Sequence, residues 1–138
     1  MRARVVRALR PLDAIPVENA VLPGTPDVEY IGGWIELKSE DEWPARPTTP
    51  LRLKRFTIEQ KMFLFRRVRR GGAAWLLLRV GREWLLFRGD VVNQVGDIPR
   101  SELIAIASRI WPKTPSDEEL LEAFGGGLNG IKEGAACS

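Results

Sequence analysis

The chain has 138 residues, enough to bury a core in a single domain without disulfide or metal staples. Hydrophobic residues at 44% and charged residues at 28% argue against wholesale disorder, and no apolar run approaches the roughly 20 residues that span a bilayer. Histidine is absent and the one cysteine, Cys137, stands beside the C-terminus, which excludes His-based general-base and triad chemistry, most zinc or copper sites and any internal disulfide. The N-terminus is basic but has no signal-peptide apolar stretch, so a cytoplasmic protein is the expectation.

The net charge is only +3, but it is unevenly placed. Residues 1–10 carry Arg2, Arg4, Arg7 and Arg10 without an acid, and residues 51–70 carry Arg52, Lys54, Arg55, Lys61, Arg66, Arg67, Arg69 and Arg70 against Glu59. Such clustering suits a phosphate-backbone partner, the alternative being solvated helix faces. Without histidine, a metal would be held by carboxylates, carbonyls and water, which favours Mg²⁺ or Mn²⁺.

Val5, Leu9 and Leu12 fall at helical spacing, predicting a helix over 2–12 that Pro11 frays. Residues 14–19, with Ile15 and Val17, read as a short edge strand because of Pro16. Pro23-Gly24-Thr25-Pro26 is a turn. Two β-type runs, 27–31 and 34–38, follow on either side of Gly32-Gly33, a pattern that predicts a hairpin with those glycines at the turn. Residues 39–56, with Pro44, Pro47 and Pro50, read as a long surface loop.

Thr57-Ile58-Glu59-Gln60 matches a capping box and opens a helix to about Arg70, with Ile58, Met62, Phe65 and Val68 as its expected buried stripe. Gly71-Gly72 stops it. The apolar run 73–80 predicts a buried central strand, Gly81-Arg82 a turn, and 83–87 its hairpin partner. Helices are expected over 101–111 and 116–124. A sheet covered by helices buries these elements most naturally.

With Gly32-Gly33 at the turn, Glu29 would oppose Glu36, and Asp27 would oppose Lys38. Side-chain alternation then places Val28, Tyr30, Ile35 and Leu37 on a core face and Asp27, Glu29, Glu36 and Lys38 together on the other. Like charges directly opposite each other cost a sheet roughly 0.2–1 kcal/mol per pair, and a divalent cation held by Asp27 and Glu36 would compensate. The alternative is a surface hairpin with an ordinary Asp27–Lys38 ion pair.

Gly24-Thr25-Pro26-Asp27-Val28, Trp34-Ile35-Glu36-Leu37-Lys38 and Thr57-Ile58-Glu59-Gln60, in that order, resemble the PD-(D/E)XK nuclease pattern. The likeness is strongest to the VRR-Nuc branch, related to Holliday-junction resolvases and found in small phage nucleases. It covers about residues 2–87 and implies an α/β fold with a restriction-endonuclease-like αβββαβ core, a mixed central sheet flanked by helices. One nuclease-like domain is expected over 1–124, with a flexible Gly-rich tail over 125–138. The resemblance implies Asp27 and Glu36 as metal ligands joined by the Leu37 carbonyl, Lys38 as the catalytic lysine, and Gln60 beside the site unless the cap alone explains it. It implies an Mg²⁺- or Mn²⁺-dependent DNA endonuclease, with branched DNA as a candidate substrate and a homodimer as a candidate assembly. The family usually carries a glutamate on its first helix, but residues 2–12 contain no acid. Glu18 is the nearby candidate ligand, with Glu29 behind it; otherwise the site is one ligand thinner.

Arg52, Lys54, Arg55 and Lys61 are the candidate phosphate contacts, with solvated charge as the alternative. Trp43 suits either base stacking or packing against its own loop. Two other classes stay open: a nucleic-acid-binding module with a decayed nuclease site, and a structural or partner-binding phage protein.

Overall fold

A computed structural model describes residues 1–18 and 22–125. The chain forms α1 (Arg2–Ala8), a 3₁₀ turn (Arg10–Leu12), β1 (Ile15–Pro16), β2 (Val28–Tyr30), β3 (Gly33–Glu40) and α2 (Ile58–Arg69). It continues with β4 (Ala73–Val80), β5 (Glu83–Arg88), a 3₁₀ segment (Gly89–Gln94), α3 (Arg100–Ile106) and β6 (Arg109–Trp111). Residues 117–125 are again helical (α4). The proposed Gly-rich tail lies outside the described residues from 126 onward, as does the end of the strand expected over 14–19. Among the described residues, no helix is long and apolar enough to cross a membrane.

The six strands make one mixed sheet in sequence order, β1 to β6. Every neighbouring pair is antiparallel except β3 and β4, which run parallel from Gly33↔Ala73 to Glu40↔Val80. A parallel pair needs a crossover, and α2 is that crossover. Alternation along β3, β4 and β5 feeds two cores. Val28, Tyr30, Ile35, Leu77 and Leu86 pack with Val5 of α1, with Leu9 just after it, and with Leu120 and Phe124 of α4. On the other face Leu76, Leu78, Leu85 and Phe87 pack with Leu64 of α2, Val92 and Leu103. Strand β4 is central and covered on both faces, which is why Ala73 to Val80 is nearly all apolar.

Several expectations change. The segment 101–111 is not one helix: α3 ends at Ile106, and Arg109–Trp111 becomes the edge strand β6 on β5. Of the stripe assigned to α2, Val68 packs against the core while Ile58, Met62 and Phe65 do not. Ile58 is 67% exposed, Met62 57% and Phe65 38%, whereas Leu64 is fully buried. The helix carries two apolar stripes, and the sheet takes the one with Leu64, Phe63 and Val68.

The hairpin register also shifts. The turn residues are Ile31 and Gly32, and Gly33 already belongs to β3, with Tyr30 opposite Gly33 and Val28 opposite Ile35. Gly33 is needed for another reason: a Cβ there would meet the Ala73 carbonyl oxygen at 2.1 Å. The pairing moves by two residues, and because side chains alternate with period two, the faces stay as predicted.

Gly24 fixes how the segment ahead of β2 meets α2. Its φ of +86° favours glycine, and a Cβ would sit 2.6 Å from the Glu59 carbonyl oxygen in the first turn of α2. Gly24→Ala is expected to cost about 1–3 kcal/mol of stability in denaturant unfolding, through positive-φ strain and this contact. An unchanged midpoint would show that the segment does not dock this way.

Candidate active site

Strand β3 lies between β2 and β4, and its even-numbered residues face α2. Glu36, opposite Leu76 in the parallel ladder, is therefore drawn into the covered side of the sheet. It is 1% exposed and the one buried charged residue among those described. Continuing the β2–β3 register one step beyond Val28↔Ile35 brings Asp27 opposite Glu36, not Lys38 as the glycine turn implied. The Leu37 backbone N–H donates to Asp27 Oδ2 at 2.9 Å, which ties the loop end to the strand. The N–H and C=O of one strand residue project to the same edge, so the Leu37 carbonyl also points toward Asp27.

Two carboxyl groups side by side in a dry setting cannot both stay charged cheaply. Burial pushes the Glu36 carboxyl from its ordinary 4.5 up to about 9, helped by the hydrogen bond and negative charge of Asp27. The Lys38 ammonium and the Leu37 backbone amide oppose that shift. Glu36 Oε2 has no hydrogen-bond partner, an orphaned buried acceptor of the kind that a proton or a cation satisfies. Asp27 and Glu36 are thus the two carboxyl groups that the fold sets side by side, oxygen donors of the type a hard cation takes.

Lys38 shares the face but forms no ion pair with Asp27 among the described residues. Its ammonium donates to the Arg55 carbonyl at 2.9 Å and lies 5.7 Å from the centre of the Phe56 ring. Arg55 holds a positive φ of 62°, which turns the backbone at the loop's return toward α2.

The remaining candidates are placed as follows. Glu18 does not join Asp27 and Glu36: its 81%-exposed side chain pairs with Arg2 at 3.0 Å. Among the described residues no cluster of three or more His, Cys, Asp or Glu side chains suited to a metal forms. Gln60 completes the capping box, its Oε1 accepting from the Thr57 N–H and its own N–H donating to Thr57 Oγ1. Arg52, Lys54 and Arg55 are exposed, and the Lys54 backbone is tied to Glu40. Lys61 is half-buried, donating to the Val95 carbonyl and lying 5.3 Å from the centre of the Phe56 ring. Trp43 packs away from its own loop, its indole N–H donating to Glu83 of β5 and Arg100 of α3 lying over its ring.

Phe56 is the residue that sequence reasoning passed over. The signal was an aromatic directly before the capping box, between two groups of cations. No family model, curated protein or solved structure matches the chain.

Glu36 makes folding pH-dependent. With its folded-state value raised, the native protein holds a proton that the unfolded chain releases above about 4.5. Its contribution to stability is thus greatest below about 4.5 and is lost as pH rises toward about 9. The thermal midpoint of the parent is expected to fall between mildly acidic and alkaline pH more steeply than that of Glu36→Gln, which keeps the shape without the charge. Parallel profiles for the two proteins would refute the buried, protonated carboxyl.

Proposed function

We propose that the chain is a metal-dependent deoxyribonuclease whose site is Asp27, Glu36, the Leu37 carbonyl and Lys38. The observation that carries this is the buried Glu36 carboxyl, facing Asp27 with one oxygen unpartnered and Lys38 on the same strand face. A sheet that needed these residues only for structure would do better with apolar side chains there. The order helix, three strands, helix, strand supports a restriction-endonuclease-like core for this arrangement.

When bound, Mg²⁺ or Mn²⁺ would supply Lewis-acid charge for a phosphoryl oxygen. The chain's own groups supply the rest. Asp27, fixed by the Leu37 amide, and Glu36 would hold the cation. The Lys38 ammonium has three donors, of which the Arg55 carbonyl takes one. A remaining N–H serves to orient an attacking water or to offset charge building on the phosphate. Exposed Arg52, Lys54 and Arg55 then meet the flanking phosphates.

Asp27→Ala and Lys38→Ala are each expected to lower Mn²⁺-dependent cleavage of linear, flapped or four-way DNA by about 10²–10⁴-fold while leaving far-ultraviolet circular dichroism unchanged. Parent-like cleavage by both variants would remove the assignment. One observation favours a second reading, a binding module without catalysis: Glu18 pairs with Arg2 and leaves only two carboxylates at the site. Calorimetric titration separates the two, since retained DNA affinity without Mg²⁺ binding belongs to the binding module alone.

A further inference from the structure

A groove of about 490 Å³ lies along the outer face of α2, walled on its far side by Asn93 and Asp97. Its near wall is Phe56, Ile58, Lys61, Met62, Phe65 and Arg66. Ile58, Met62 and Phe65 are the stripe that helical spacing would assign to a core, yet all three face water. A contiguous exposed apolar patch of this kind marks an interaction surface. The volume suits a planar group of nucleobase size.

Charge decides among occupants. Lys61 and Arg66 line the groove against one acid, Asp97, and Arg69 lies 5.9 Å from the centre of the Phe65 ring, so the charge around it is net positive. A second copy docking here would set two net-positive grooves against each other, which is repulsive overall. An anionic partner with apolar faces fits both properties. Phe56, part of the groove's lining, links it to the candidate active site. Lys38 approaches that ring at 5.7 Å and Lys61 at 5.3 Å.

Resting on the nuclease assignment above, we infer that the α2 groove receives the unstacked bases of a single-stranded DNA segment whose backbone passes Lys38. Phe65 and Phe56 offer ring faces to bases irrespective of sequence, and the Met62 thioether adapts to their outline. Arg66 and Lys61 stand where the strand's phosphates would run. An acidic amphipathic peptide satisfies the same charge pattern, but a groove whose Phe56 wall also meets Lys38 of the proposed nuclease site favours nucleic acid. The substrate class is thus DNA with an unpaired segment next to the cut.

The test is fluorescence anisotropy in EDTA, with labelled oligothymidylate and a fully paired duplex, on the full chain and a Met62→Ala/Phe65→Ala variant. Both side chains are exposed, and neither belongs to the proposed metal and lysine site. Single-strand affinity is expected to fall about tenfold while duplex affinity stays unchanged. Unchanged single-strand affinity, or equal losses on both probes, overturns the inference. So does a parent dimer that becomes a monomer in the variant with single-strand binding intact, which would give the groove to a second copy. An acidic helical peptide that binds the parent but not the variant, with single-strand affinity unchanged, gives it to a protein partner and overturns the inference likewise. Because EDTA prevents metal-dependent cleavage, the two assignments fail separately. Groove-dependent binding without any Mn²⁺ cleavage supports the groove and sinks only the nuclease, whereas cleavage without groove-dependent binding sinks only the groove.

Discussion

A carboxyl group with 1% of its surface exposed sits beside a second carboxylate on the covered face of a central strand, and much of the molecule is arranged around that fact. Leaving a charge there uncompensated costs several kcal/mol, so Glu36 must hold a proton or have a cation close by. Asp27 can stand opposite it only if the segment before β2 runs down onto α2, and Gly24 against the Glu59 carbonyl makes that approach possible. The Leu37 amide then locks Asp27 in place. A backbone contact, a strand amide and a buried acid thus form one mechanical unit.

The cationic side of the site is built differently. Lys38 reaches away from the two acids to the Arg55 carbonyl, where the long loop after β3 returns to the start of α2. The capping box at Thr57 and Gln60 stops that return at a defined point, and Phe56 is left between Lys38 and Lys61. Gln60 and Thr57 satisfy two N–H donors at the helix start that would otherwise be open. The acids and the lysine are therefore held by separate structural devices, one in the sheet and one in the loop. Shifting the loop would move Lys38 relative to a fixed carboxyl pair.

On the opposite side of the sheet the constraints are those of ordinary packing. Tyr30 and Trp75 share a hydrogen bond at 3.1 Å and both meet Phe124 edge-on. This aromatic cluster ties α4 to β2 and β4 without touching the acids. The sheet separates a structural face from a face whose polar burial calls for another explanation.

What the sequence determined by itself was whatever depends on period. Alternation in 27–31 and 34–38 placed Asp27, Glu36 and Lys38 on one side and Val28, Tyr30 and Ile35 on the other, and a register error of two residues left that assignment intact. The apolar run 73–80 announced a doubly covered strand, and Thr57 with Gln60 announced the start of α2. What only the tertiary structure decided was which of several equivalent local patterns is used. Gly33 serves the close approach to Ala73 and not the turn, so Asp27 faces Glu36 instead of Lys38. Of two apolar stripes on α2, the sheet accepts the one with Leu64 and leaves Ile58, Met62 and Phe65 in water. Residues 109–111 become a strand because β5 has an open edge beside them. Glu18 pairs with Arg2 although the neighbouring Val17 N–H bonds the Asp27 carbonyl and holds the backbone beside it. In each case local periodicity admits more than one solution, and contacts between residues distant in sequence select among them.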